Sequence, residues 1–254
     1  LMPVFRKSVA MGIVAEAKKM QDMMLRLRYA AVPVVSALRG IALGGGCELA
    51  LYSARRVAAM ESYMGLVEVG VGLVPAGGGL TYIARRAAEM ANAATAPSAI
   101  LAFLRDGFTN AAMAKVGTSA IESRKYGYLL WSDAVVPNKD ELLYVAQAQA
   151  RALHDSGWRA PARAPFPVAG RAAIATIKAQ LVNMRDGGFI SAHDFHISAL
   201  IADVVCGGDV DAGSLVTEEY LMALERRHFC ALLEHPKSQE RIMGMLQTGK
   251  PVRN

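Results

Sequence analysis

Residues 40–79 read GIALGGGCELALYSARRVAAMESYMGLVEVGVGLVPAGGG, with two glycine triplets and two carboxylates, Glu48 and Glu68, twenty positions apart. Immediately before them, Val32–Leu38 (VPVVSAL) is β-branched and apolar, which predicts a buried strand. Gly44, Gly45 and Gly46 remove Cβ atoms where the chain must turn tightly and approach another group. Cys47–Ser53 has helix-forming composition, so the triplet is expected to feed a helix amino terminus whose unpaired N–H groups and positive dipole end face the turn. Such a turn suits negative charge developing on an oxygen, and Glu48 sits one helical turn in. Glu68 lies in the apolar run GLVEVGVGLVP, where a carboxylate must be solvated, paired, or protonated with a raised pKa. A plain alternative stays open at this level: glycine turns before helices are common, and a first-turn Glu often only compensates the dipole. Two acids flanking an oxyanion-type turn also suit general acid–base chemistry.

Working outward, a chain of 254 residues buries a core of ordinary size, one domain with appendages. No apolar run approaches the roughly 18 residues of a membrane span, and no signal-peptide arrangement is present. Cys47, Cys206 and Cys230 are scattered and odd in number, which fits a reducing cytoplasm rather than a disulfide framework. The net charge of +6 is spread along helices without aromatic interleaving, so a phosphate-bearing small substrate suits it better than nucleic acid.

Residues 1–31 predict one amphipathic helix stopped by Pro33, with Met11, Val14, Ala15, Met20, Met23, Met24 and Leu27 on its packed face and Lys18, Lys19, Asp22 and Arg26 opposite. Leu80–Asn110 is Ala-rich, with Arg85, Arg86 and Glu89 on a first helix. A helix is expected from Glu122, then a strand at Asp133–Val136, with Asp140 as the N-cap of a helix running to about His154. Pro161–Pro167 reads as an extended connector. From Gly170 onward the chain is helical, with segments near 172–184, 191–205 and 217–233, so residues 1–169 and 170–254 are expected to form a core and a helical C-terminal region. His193 and His196 have the spacing of two metal ligands on one helix face, but no third ligand is nearby in sequence; a packing role is the expectation, with no metal site. Gly70-Val71-Gly72-Leu73-Val74-Pro75 puts Pro where a dinucleotide fingerprint needs its third glycine, so no NAD site is expected.

The order strand, GIALGGGCELA, then AMESYMGLVEVGVGLVPAGGG closely resembles the crotonase superfamily of enoyl-CoA hydratases and isomerases. The resemblance implies an α/β fold, the crotonase-like (ClpP/crotonase) spiral of ββα units, with a helical C-terminal extension. It places Glu48 and Glu68 at the two catalytic carboxylates and Gly45 at a backbone N–H forming half of an oxyanion hole. Leu43, Gly44, Pro75 and Gly77 fall at substrate-binding positions. The Pro75–Leu80 turn, with Ala76 and a third glycine, departs from the family pattern in a way expected to touch neither acid. Leu80–Asn110 is an insertion relative to small crotonases, and the pattern resumes at AKVGTSA (114–120).

The whole layout, including the ending QERIMGMLQTGKPVRN, resembles the hydratase half of bifunctional 3-hydroxyacyl-CoA dehydrogenase/enoyl-CoA hydratases of fatty-acid β-oxidation. The strands and second oxyanion donor that begin such cores do not precede Leu1, implying an N-terminally truncated core completed from elsewhere, with an apolar sheet edge. The implied partners are an acyl-CoA thioester, the missing N-terminal segment or dehydrogenase domain, and further copies of the chain. Coenzyme A enters only as part of the substrate. Lys250 and Arg253 are either solvated or near CoA phosphates. Other readings are an enoyl-CoA isomerase, a thioester hydrolase or carboxylase-type enzyme, and a non-catalytic assembly scaffold.

Overall fold

The structure, a computed structural model, describes residues 2–254, with side chains described from residue 12 onward. In chain order the elements are α1 (Met2–Arg28), β1 (Val35–Leu43), α2 (Gly45–Leu51), β2 (Arg55–Gly65), α3 (Gly79–Ala93), α4 (Ile100–Ala112), α5 (Ala120–Lys125), β3 (Ala134–Val136), α6 (Leu142–Asp155), β4 (Phe166–Pro167), α7 (Gly170–Asp186), α8 (Ala192–Cys206), β5 (Leu215–Val216), α9 (Glu218–Leu233) and α10 (Pro236–Thr248). A 3₁₀ turn at Glu68–Val71 follows β2.

β1, β2 and β3 form a parallel sheet in that order, with Val35 opposite Arg55 and Val57 opposite Ala134. The first strand lies further along than expected: it begins at Val35, beyond Pro33, and continues to Leu43. Its register shifts between Leu38 and Gly40, and Ser62 Oγ donates to Leu38 O at 3.1 Å there. A hydroxyl and a glycine at φ +69° let the strand pass the irregularity, so the pattern that suggested an ending at Leu38 marks a bulge. β3 is fixed beside β2 by Asp133, which accepts from Arg56 N (2.9 Å), Arg56 Nε (2.7 Å) and Leu130 N (2.6 Å).

α3 and α4 form a helical hairpin across a 3₁₀ turn at Pro97–Ala99, and both pack on α8. α9 packs against α1 and α3, and α10 against the Glu68–Val71 turn. The larger of two buried clusters among the described residues therefore runs from Met24 and Leu51 through Leu80 and Leu104 to Ile201 and Leu221. The smaller joins Val57, Val136, Leu142 and Ala146. Among the described residues, no helix is long and apolar enough to cross a membrane.

Several local expectations are corrected. On α1 the buried face is Gln21, Met24 and Leu25, while Val14, Ala15 and Met23 are exposed; the side chain of Met11 lies outside the described residues. The tertiary contact requires a glutamine inside, which a hydrophobic stripe cannot announce. Asp140 is not the N-cap: Asn138 accepts from Asp140 N at 3.1 Å and starts a 3₁₀ turn that leads into α6. Pro161–Pro167 is more than a connector, since Phe166 and Pro167 pair antiparallel with Val216 and Leu215. A two-residue edge pairing tolerates the proline's missing donor. Ser191 and Thr217 cap α8 and α9, Ser191 and Asp194 forming a capping box.

Candidate active site

The site is built on the turn between β1 and α2. Gly44 has φ +54° and ψ −126°, which side-chain-bearing residues avoid. Its N–H donates to Gly65 O and its carbonyl accepts from Glu48 N, both at 2.9 Å, so the hinge is tied to the end of β2 and to its own helix. Gly45 N–H, at the head of α2, meets no backbone acceptor among the described residues. A Cβ on Gly45 would stand 2.9 Å from the Met20 methyl, placing α1 against this amide.

Glu48 is 1% exposed. Its Oε1 accepts from Gly77 N and Gly79 N, both at 2.8 Å. Cβ atoms on Gly77 and Gly79 would lie 2.5 Å and 2.9 Å from the same carboxylate, so the second glycine triplet lets backbone reach the acid. The expectation that the turn's departure touches neither acid is corrected at Gly79, the third glycine, whose amide holds Glu48. Two further side chains grip the turn. Gln21 Nε2 donates to Ala76 O and to Met222 O, both at 2.8 Å, and Tyr52 Oη donates to Gly78 O at 2.9 Å. Neither was identifiable from sequence as a site residue; a lone polar residue on the packed side of α1 is the only available signal for Gln21.

Glu68 opens the 3₁₀ turn after β2 and returns to the same hinge, its Oε1 lying 3.2 Å from where a Gly44 Cβ would be. Its Oε2 is enclosed and without a hydrogen-bond partner. Burial raises the pKa of both acids, but unequally. The amides of Gly79 and Gly77 pull Glu48 back towards its charged form, whereas the charge of Glu48 pushes Glu68 further up. The pair therefore favours one negative charge, on Glu48, and one proton, on Glu68.

Leu43, Gly44, Gly45, Glu48 and Glu68 meet at this hinge. Gly77 joins them through its amide, and Pro75 is buried at the start of the same turn. His193 is buried, its Nε2 facing Ser238 Oγ at 3.0 Å, and its ring stacks on His235. Arg253 pairs with Asp194 at 3.0 Å, and the Lys250 side chain is exposed.

Known proteins match the stretch that carries this hinge. Residues 14–101 match the enoyl-CoA hydratase/isomerase family. A Bacillus subtilis protein named "Probable 3-hydroxyacyl-CoA dehydrogenase" is 43% identical over 241 residues, covering 93% of this chain and 29% of its own length. Mouse mitochondrial methylglutaconyl-CoA hydratase is 50% identical over 54 residues, which cover 21% of this chain and 17% of the hydratase. A solved enoyl-CoA hydratase from Mycobacterium avium subsp. paratuberculosis shares the fold with a TM-score of 0.54 at 21% identity, over 96% of this chain and 74% of that one. The chain thus spans less than a third of the Bacillus relative, and 14–101 includes the hinge and both acids. Residues 14–101 thus match the enoyl-CoA hydratase/isomerase family, and the chain has the crotonase-like fold of the solved hydratase.

Proposed function

We propose that this chain is the hydratase region of a longer fatty-acid β-oxidation protein and adds water to 2-enoyl-CoA thioesters. One observation carries the reading: an unpaired amide at a helix head stands beside two acids whose surroundings divide one charge and one proton between them. Water attacking the β-carbon drives an electron pair onto the thioester oxygen, where Gly45 N–H donates. Glu48, held as the anion by Gly77 and Gly79, takes a proton from the water through its free oxygen. Glu68 delivers its proton to the α-carbon. Isomerisation asks for one such acid, and the presence of both favours hydration.

The reading calls for no cofactor beyond the CoA of the substrate. Hydration yields a 3-hydroxyacyl-CoA, the substrate class in the name of the Bacillus relative, which supports a dehydrogenase portion in the same protein. Among the described residues, β1 pairs only with β2, and Ile41 on it is 77% exposed. We place there a strand from the longer protein, together with the second oxyanion donor. A chain lacking one donor turns over about 10²–10³-fold more slowly.

The test follows the enoyl absorbance of crotonyl-CoA with the longer protein. Hydration is expected in the parent and lowered by roughly 10²–10⁴ in Glu48→Gln and in Glu68→Gln. Undiminished turnover in both variants overturns the reading and leaves the assembly scaffold. Conversion of a 3-enoyl-CoA with no hydration makes the protein an isomerase instead.

A further inference from the structure

A third carboxylate, on α9, converges on the turn that holds Glu48. Met222 and Glu225 lie one helical turn apart, so they share a face. The Met222 methyl would stand 2.7 Å from a Gly78 Cβ, and its carbonyl accepts from Gln21. Glu225, 0% exposed, accepts at Oε1 from Thr81 N at 2.7 Å and Thr81 Oγ1 at 2.9 Å. Its Oε2 is buried with no partner. Gly79 and Thr81 are both in the first turn of α3, whose first amides have no intrahelical acceptor. Two carboxylates from different elements, Glu48 of α2 and Glu225 of α9, thus occupy one helix amino terminus.

That terminus carries the equivalent of roughly half a positive charge, enough to favour one anion but not two. Among the described residues no cation touches either carboxylate. Arg85, the cation of α3 nearest this end, faces Glu218 at 3.1 Å and also pairs with Glu89. The other titratable groups facing Glu225 are Tyr52, which follows α2, and Glu68 of the 3₁₀ turn, and neither is a cation.

We propose that Glu225 is the third acid of this site, a positioning residue that shares the amino end of α3 with Glu48 and thereby sets the place and charge of the Glu48–Glu68 pair. The unpartnered Oε2 is where its proton sits. The kinetic consequence rests on the hydratase reading, whereas the electrostatic one rests on geometry alone. Burial, then the charge of Glu48, pushes Glu225 up to about 8, in keeping with a neutral acid.

The experiment is a carboxyl ¹³C NMR titration of the chain labelled at Glu, in parent, Glu225→Gln and Thr81→Val forms. Gln retains the oxygen that Thr81 N–H and Oγ1 address and removes only the titrating proton. Three anomalous carboxyl titrations are expected in the parent and two in Glu225→Gln, with the more alkaline remaining midpoint lowered by about one unit as a like charge is lost. Thr81→Val withdraws a donor that favours charged Glu225, so that acid stays neutral to higher pH, and the other midpoints fall, by less than in Glu225→Gln, because less like charge faces them. The alkaline limb of hydration shifts with them. Unmoved midpoints in folded Glu225→Gln, or in Thr81→Val should Glu225→Gln not fold, overturn the proposal. Absence of hydration in every form overturns the hydratase reading alone, and the midpoints still decide whether Glu225 sets the charge of the pair.

Discussion

At the scale of single residues, Glu48 and Glu68 differ only in what surrounds them, and that difference sets their chemistry. Glu48 has two amides on one oxygen, and Glu68 has an enclosed oxygen with nothing to accept from. Replacing Glu68 by Gln keeps the shape and removes the transferable proton, so hydration is expected to fall by roughly 10²–10⁴. Binding of a saturated acyl-CoA, measured by calorimetry, should stay within a few-fold. The pH profile of kcat/KM should be a bell. Its acid limb should appear where Glu48 gains a proton and loses the base role proposed for it. Its alkaline limb appears where Glu68 loses its proton; because both acids are raised by burial, the bell lies above the ordinary carboxylate range. A rate that stays flat from pH 5 to about 9 would falsify this assignment. The acids themselves are legible in sequence because a carboxylate in an apolar run demands an explanation. Which of them carries the proton is not legible, since that depends on amides supplied thirty positions away.

At the scale of elements, the turn entering α3 binds the site together. Gly78 has φ +109°, and a Cβ there would meet Tyr52 Oη at 2.6 Å and the Met222 methyl at 2.7 Å. Gly78→Ala is therefore expected to cost about 2–4 kcal/mol, from backbone strain and overpacking together. Gly46 sits within α2 with open space around its would-be Cβ. Gly46→Ala is expected to leave stability unchanged or raise it by up to about 1 kcal/mol. Urea unfolding of the two variants compares them directly, and equal losses would contradict the roles given to the two triplets. Strand, hinge and helix were readable here from propensity and glycine content. The bulge at Gly40 and the buried Gln21 were not, because each answers to a neighbouring strand or helix.

At the scale of the whole molecule, α10 supports the turn that carries Glu68. Arg241 is fully buried and donates to Val69 O at 3.0 Å and Asp194 Oδ1 at 2.7 Å, while Ser238 Oγ donates to Gly72 O at 2.5 Å. Arg241→Met leaves Asp194 with the half-exposed Arg253 as its remaining cation, and should cost about 3–5 kcal/mol in chemical denaturation. Stability should also vary with pH. The folded value of Glu225, about 8, lies above its ordinary 4.5, so the folded chain binds the extra proton between them. Its contribution is complete below the ordinary value and is lost as pH rises towards the folded one, at up to about 1.4 kcal/mol per unit. Asp194 and Asp203 are held low, by Arg241 and by His228 respectively, and their contributions disappear as pH falls below the ordinary carboxylate range. The sum places maximum stability in mildly acidic solution, which thermal melts across pH 4–9 would display. In Glu225→Gln the decline above pH 5 should shrink.

Local sequence was enough to specify a strand that leads into the hinge, the helix behind it and the helices that follow. These depend on steric freedom, side-chain branching and hydrogen bonds a few residues long. What the acids touch came from the packed chain: amides from a turn 29 and 31 positions beyond Glu48, a glutamine spanning 201 positions to Met222, and a third acid 144 positions from its threonine. Desolvation and like-charge repulsion exist only once those distant segments are packed together, so the division of charge within the site is a property of the fold.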